Sequence, residues 1–352
     1  MINFPSNRKN STGKWTPPDN WLKITAIDAH TEGEPLRVIV GGFPELPGDT
    51  ILTRRSYAME NMDFLRTALM WEPRGHADMY GCIITPAVTP GADFGVLFMH
   101  NEGFSTMCGH GIIGVTKVAL ETGMLPMNAP ETTVKIDTPA GLVTAHAKVE
   151  KGRVKSVYFH NVPSFVLALD ETVDVPGLGN VRYDMAFGGA FYAYVQADDV
   201  GLTCTPGNFR SLIEKGMDIK RAVIKNRPII HPFEKDLNFL YGTIFISPPL
   251  SEGADSRNTC VFAEGEVDRS PCGTGVSGLM AIHHARGEIG LNEPMVIESI
   301  IGSKFIARVV ETTNFGSHPA VIPEVEGKAY ITGQNEFLID PDDPLKHGFI
   351  LR

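Results

Sequence analysis

DRSPCGTGVSG (268–278) and, upstream, MCGHGIIG (107–114) share the pattern Cys-Gly-x-Gly-x-x-Gly, with their cysteines 164 residues apart (108 to 272). Each is followed by an apolar run suited to a helix, at 115–120 and 279–282. Two cysteines therefore open two helices in matching contexts. A helix N-terminus carries unpaired backbone N–H groups and the positive end of the macrodipole. Such a site lowers the pKa of a thiol, and adjacent glycines let backbone amides approach a carboxylate closely. Two such ends face to face would hold one small carboxylate between two thiols. One thiolate could take a proton from the carbon between them and the opposite thiol could return one. That is two-base inversion of a stereocentre.

Outward from these motifs, the chain reads twice as strand pair, helix, strands, cysteine helix, strands. In the first half the strands fall at 23–30 and 35–42 around the turn Thr31-Glu32-Gly33-Glu34, then at 79–84 and 94–100. A helix is expected across 54–71, a loop at 101–107, a helix from Cys108 to near Gly123, and strands at 133–138, 142–149 and 154–159. The second half opens on a strand pair at 185–195 around Gly188-Gly189, then an amphipathic helix from 208 to 221 and onward. Strands at 239–247 and 258–263 lead into a helix at 271–286, and four more follow at 295–298, 305–312, 321–326 and 328–331. The cysteines come 85 and 87 residues after the first strand of their halves (23 to 108, 185 to 272). So long a repeat implies duplicated domains rather than a solenoid. The expected division is a flexible tail at 1–21, a first α/β domain at 22–180, a second at 181–335 and a C-terminal return segment at 336–352. The cleft between the halves is the natural binding site.

The composition is that of a soluble globular protein: 352 residues, 43% hydrophobic and 20% charged. A formal charge of −10 without a basic block argues against a nucleic-acid partner, though helix N-termini still accept an anionic substrate. No signal-peptide core or membrane-length apolar run occurs, so no membrane association is expected. Five cysteines (82, 108, 204, 260, 272), odd in number and without disulfide-like spacing, point to reduced thiols and a cytoplasmic setting.

Taken singly, each of these cysteines reads as an inert buried residue; the shared context overturns that for Cys108 and Cys272. Cys82, Cys204 and Cys260 remain structural. Cys108-x-His110 resembles a metal-ligand pair, but nothing completes it, so no metal is expected. His283-His284, late on a helix, read as solvated or dipole partners. The Gly-x-Gly-x-x-Gly spacing also suits a dinucleotide loop, yet each copy has cysteine before the first glycine and no acidic residue placed for a ribose. Asp268 is by default a capping residue and, in this setting, a partner for a substrate ammonium group. EPRGH (72–76) reads as a structural turn or a contact.

With these motifs go DAHTEGEPLRVIVGG (28–42), EPRGHADMYG (72–81), FGGAFYA (187–193), VDRSPCGTG (267–275) and DPDDPLKHGFIL (340–351). Together they resemble the proline racemase family over nearly the whole chain. The resemblance implies a fold like diaminopimelate epimerase, with two pseudo-symmetric α/β domains, each a curled sheet around a central helix. It implies cofactor-independent chemistry on proline or hydroxyproline. Carried over by position, Cys108 and Cys272 are the acid/base pair. Gly109, His110, Gly273 and Thr274 line the carboxylate, and His110 with Asp268 flank the ring nitrogen. Family members that dehydrate trans-3-hydroxy-L-proline typically carry threonine at the second cysteine. Cys272 instead matches racemases and epimerases, whereas HNEGFST (100–106) resembles the dehydratase branch. The resulting expectation ranks inversion at the α-carbon first, with a hydroxylated ring preferred over plain proline. Dehydration is the alternative, and a non-catalytic amino-acid-binding protein a second one. A small amino acid is the expected partner, and a homodimer is left open.

Overall fold

Alternating burial marks most of the chain as half-buried strand, as in ETTVKIDT, where Thr132, Val134 and Ile136 point inward between exposed neighbours. A computed structural model describes residues 15–351. The first fourteen residues of the expected tail, and Arg352, lie outside the described residues.

The first half opens with the antiparallel hairpin of β1 (Leu22–Thr31) and β2 (Glu34–Gly41). Two helices, α1 (Ile51–Asn61) and α2 (Asp63–Met70), follow. Then come β3 (Tyr80–Thr85), β4 (Phe94–His100), the short β5 (Gly103–Ser105) and the cysteine helix α3 (Gly109–Glu121). The meander β6 (Glu131–Thr138), β7 (Gly141–Glu150) and β8 (Arg153–His160) completes it. The second half runs β9 (Ser164–Val175), β10 (Gly179–Phe187), β11 (Phe191–Gln196), α4 (Phe209–Asn226), β12 (Leu240–Ser247), β13 (Ser256–Phe262) and β14 (Glu266–Val267). The second cysteine helix α5 (Gly273–Ala285) leads to β15 (Met295–Ser299), β16 (Lys304–Phe315), β17 (His318–Gly327) and β18 (Ala329–Ile339).

Strands β9, β10, β11, β12, β13, β15, β16 and β17 pair in that order, and β17 returns to β9, closing a barrel. In the first half the order is β18, β1, β2, β3, β4, β6, β7, β8, and β8 joins β17. Helix α3 lies in the curl of the first sheet against β1, β2, β8 and β18, and α5 lies inside the barrel against β9, β10, β16 and β17. Both are mainly apolar and buried from Gly109 to Leu120 and from Gly273 to Ile282, as befits a helix surrounded by sheet, and the buried Lys117 is satisfied by Glu121 and the Val154 carbonyl. The chain thus adopts the expected α/β fold, two halves each with a curled sheet around a central helix.

Three local expectations change. The helix expected across 54–71 is two helices, broken at Met62, whose φ of −127° and ψ of 11° lie outside the helical range. Asp63 then opens α2 and clamps Arg66 at 2.6 Å. The boundary expected near residue 180 falls inside the β9–β10 hairpin, where Gly179 pairs with Val175. Strand β18, reaching from 329 to 339, pairs along its length with β1, so sequence order and sheet membership part there. The turn Glu72-Pro73-Arg74 is structural: Arg74 donates to the Leu338 and Lys346 carbonyls and Glu72 accepts from the Phe349 N–H, pinning the C-terminal segment.

Candidate active site

The two cysteine helices point their N-termini at each other. Gly109 and Gly273 meet so closely that a Cβ added to either would lie 2.6–2.7 Å from the other's Cα. Only glycine at both positions permits this approach. Gly188 serves the same end from β10's tip, since a Cβ there would lie 2.2 Å from the Thr274 carbonyl oxygen. Hydrogen bonds across the halves hold the junction: Thr106 Oγ1 donates to the Gly189 carbonyl at 2.8 Å and Asn161 Nδ2 to that of Gly188 at 2.7 Å.

The junction holds a gap of about 280 Å³ between atoms, counting the part that opens to solvent. Its walls include every residue expected for the site: Cys108, Gly109, His110, Asp268, Cys272, Gly273 and Thr274. So small a space suits a ligand of about one small ring. First-turn amides of both helices have no acceptor within their own helices. The site thus combines two thiols, two sets of free amides and one carboxylate.

Cys108 is the N-cap of α3, and its Sγ accepts the Gly111 N–H at 3.2 Å. His110 Nδ1 stands 3.2 Å from the same sulfur. The expectation that a helix end lowers the thiol pKa is offset here. Burial pushes the Cys108 thiol well up, and the bond from Gly111 pulls it only partly back. Burial also drives His110 down to about 3, so it is a neutral imidazole, bonded to the Pro35 backbone and edge-on to Tyr80 at 4.7 Å. Asp268 is raised to about 6, mainly by burial, while bonds from Ser270 and Cys272 pull the other way. Cys272 stands at φ +69° with its N–H bonded to Ser270 Oγ at 3.2 Å. Its sulfur lies 3.8 Å from both Tyr192 Oη and Thr274 Oγ1, which bond each other at 2.7 Å.

Sequence reasoning did not single out Tyr80, Tyr192, Tyr241 and Phe262, which also line the gap. Tyr80 and Tyr192 sit in the recognised stretches at 72–81 and 187–193, so position in a motif was a usable signal. Tyr241 and Phe262, stacked at 5.3 Å, lie on ordinary strand patterns and had none. All five cysteines are free and buried, and Cys260, expected to be structural, touches Cys272. His283 and His284 engage Glu288 and the Ile289 carbonyl at the end of α5, away from the gap. Among the described residues no cluster of three or more His, Cys, Asp or Glu could hold a metal ion. None of the described helices is long and apolar enough to cross a membrane.

A protein of Colwellia psychrerythraea named trans-3-hydroxy-L-proline dehydratase is 50% identical over 96% of this chain and 96% of its own length. One of the same name from Bacillus thuringiensis is 48% identical, covering 93% of this chain and 98% of that one. The crystal structure of a hydroxyproline epimerase from Agrobacterium vitis, with bound trans-4-hydroxy-L-proline, superposes with a TM-score of 0.90 at 36% identity, covering 94% and 96%. The family model described as proline racemase matches residues 26–350, and with that span and these relatives the chain belongs to the proline racemase family.

Proposed function

We propose that one of the two thiols removes the α-proton of a bound hydroxyproline and that the enzyme dehydrates trans-3-hydroxy-L-proline. The proton step rests on one observation: two thiol-bearing helix ends meet, glycine to glycine, around a gap with free amides and one carboxylate. The substrate carboxylate would lie on the first-turn amides of Gly109, His110, Gly273 and Thr274, each such donor worth roughly 3–4 kcal/mol as charge builds on its oxygens. The ammonium would face Asp268 and His110. Its positive charge offsets the burial that holds the Cys108 thiol protonated.

Stereochemistry makes dehydration economical. In trans-3-hydroxy-L-proline the 3-hydroxyl is trans to the carboxylate and so shares a ring face with the α-hydrogen. A thiolate on that face takes the proton as the C3–O bond breaks, and the same thiol returns the proton to the departing hydroxide as water. The C2=C3 enamine left behind tautomerises to the cyclic imine. The paired cysteines alone rank inversion first. Relatives 48–50% identical and named for the dehydration move it ahead, in line with the dehydratase-like stretch at 100–106. A second reading, 2-epimerisation of hydroxyproline, is favoured by Cys272, which dehydration does not require and inversion does.

One assay separates them. L-Proline, trans-4-hydroxy-L-proline and trans-3-hydroxy-L-proline are each incubated with the enzyme in deuterated water, and optical rotation, α-deuterium and imine are followed. Imine from the 3-hydroxy substrate alone is the expected result. Inversion without imine transfers the assignment to epimerisation or racemisation, and no exchange with any substrate removes the enzymatic reading.

A further inference from the structure

We infer that Glu34, in the first half, is a positioning residue for the Cys272 thiol of the second. The inference rests on the thiol chemistry proposed above. Glu34 opens β2, is wholly buried, and accepts the Arg269 N–H on Oε2 at 2.6 Å, while Oε1 has no partner. Arg269 precedes Cys272 by three residues, and its guanidinium pairs with Asp78, again from the first half, at 2.7 Å. One short segment of the second half is thus held from the first through its backbone and through its side chain.

That segment sets the cysteine. The Ser270 N–H bonds Asp268 Oδ1 at 2.8 Å, Ser270 Oγ takes the Cys272 N–H, and Cys272 sits at φ +69°. An L residue keeps that conformation only where its surroundings enforce it. Cys272 receives no side-chain cap bond from its own helix, unlike Cys108. The enforcement comes from 268–270, which the Asp268 N–H ties to the Cys260 carbonyl of its own half at 3.1 Å and which Glu34 and Asp78 hold from the other half at Arg269. A fully buried carboxylate with one oxygen unpartnered is a costly means of joining two halves. Burial and the adjacent Asp268 push its pKa well above the usual range, consistent with that cost. The neighbouring turn is tied across as well: Ser303 Oγ donates to the Glu32 carbonyl at 2.6 Å, and the Lys328 N–H donates to Glu32 Oε1 at 2.9 Å. The seating of the second thiol therefore depends on closure of the first half upon it.

Timed iodoacetamide labelling of the full-length protein, read by mass spectrometry of the Cys108 and Cys272 peptides, tests this without requiring turnover. Glu34→Ala is expected to raise labelling of Cys272 relative to Cys108 about tenfold, the scale of one lost buried hydrogen bond. Glu34→Gln, which keeps an acceptor, is expected to restore the wild-type ratio. Should Glu34→Ala fail to fold, Asp78→Asn loosens the same segment from its side-chain end and is expected to move the ratio the same way by less. Both cysteines changing together, or neither changing, would overturn the assignment. Wild-type enzyme that exchanges no hydroxyproline proton would refute the proposed function, while the labelling ratio would still decide the role of Glu34.

Discussion

Helices α3 and α5 begin at the same motif, are each wrapped by sheet and present their cysteines to one gap, yet they hold those cysteines differently. Cys108 has extended backbone at φ −148° and takes a cap bond from its own helix through Gly111. Cys272 has a left-handed φ, and its restraints come from Ser270, Asp268 and, beyond them, the other half. The neighbours differ too. Cys108 lies against the neutral ring of His110, and Cys272 against the hydroxyls of Tyr192 and Thr274. The repeated motif thus brings two thiols to one gap without giving them equivalent environments. A reaction that needs only one base could leave the second free to change.

Serine at each cysteine in turn is the strongest way to break the comparison. Either substitution is expected to abolish any inversion, by ~10²–10⁴-fold, because each face of the α-carbon needs its own acid or base. Dehydration is expected to fall comparably for one substitution and to survive the other. Polarimetry beside an imine assay distinguishes them, and equal loss of dehydration in both would mean that the sites act as equals.

Asp268→Asn probes the charge beside Cys272. The folded carboxyl is raised from 3.8 to about 6, so between those values the folded state binds more protons than the unfolded. Stability therefore falls as pH rises from about 4 to 6, by on the order of 2–3 kcal/mol. Glu34, raised beside it, adds a slope of the same sign, so the asparagine variant should flatten the slope in urea melts taken across the same pH range, and should also lose hydroxyproline binding. An unchanged slope would assign it to another group.

Gly109→Ala and Gly273→Ala test the one feature in which the two helices are alike. Each methyl would land on the opposite helix end at 2.6–2.7 Å, and both are expected to cost ~1–3 kcal/mol in denaturant unfolding and to slow α-proton exchange. A large cost at one and none at the other would show that the contact is not mutual. The smallest effect is expected of Tyr192→Phe. It removes the partner of Thr274 Oγ1 near Cys272 and should destabilise by about 1 kcal/mol, with exchange at the Cys108 face little changed.

Much of this was legible in the chain itself. The spacing of the two Cys-Gly-x-Gly-x-x-Gly stretches, and the apolar runs behind them, determined two buried helices with thiols at their N-termini, because local geometry places the residue before a helix at its open amides. β-rich runs bounded by glycine and turn residues located most strands for the same local reason. Tertiary structure decided what depends on distant partners. It joined β18 to β1 across some three hundred residues and laid Glu34 against Arg269. It also buried Cys108 deeply enough that desolvation outweighs the helix end. Desolvation depends on everything that surrounds a group, and no pattern of neighbours along the chain encodes that.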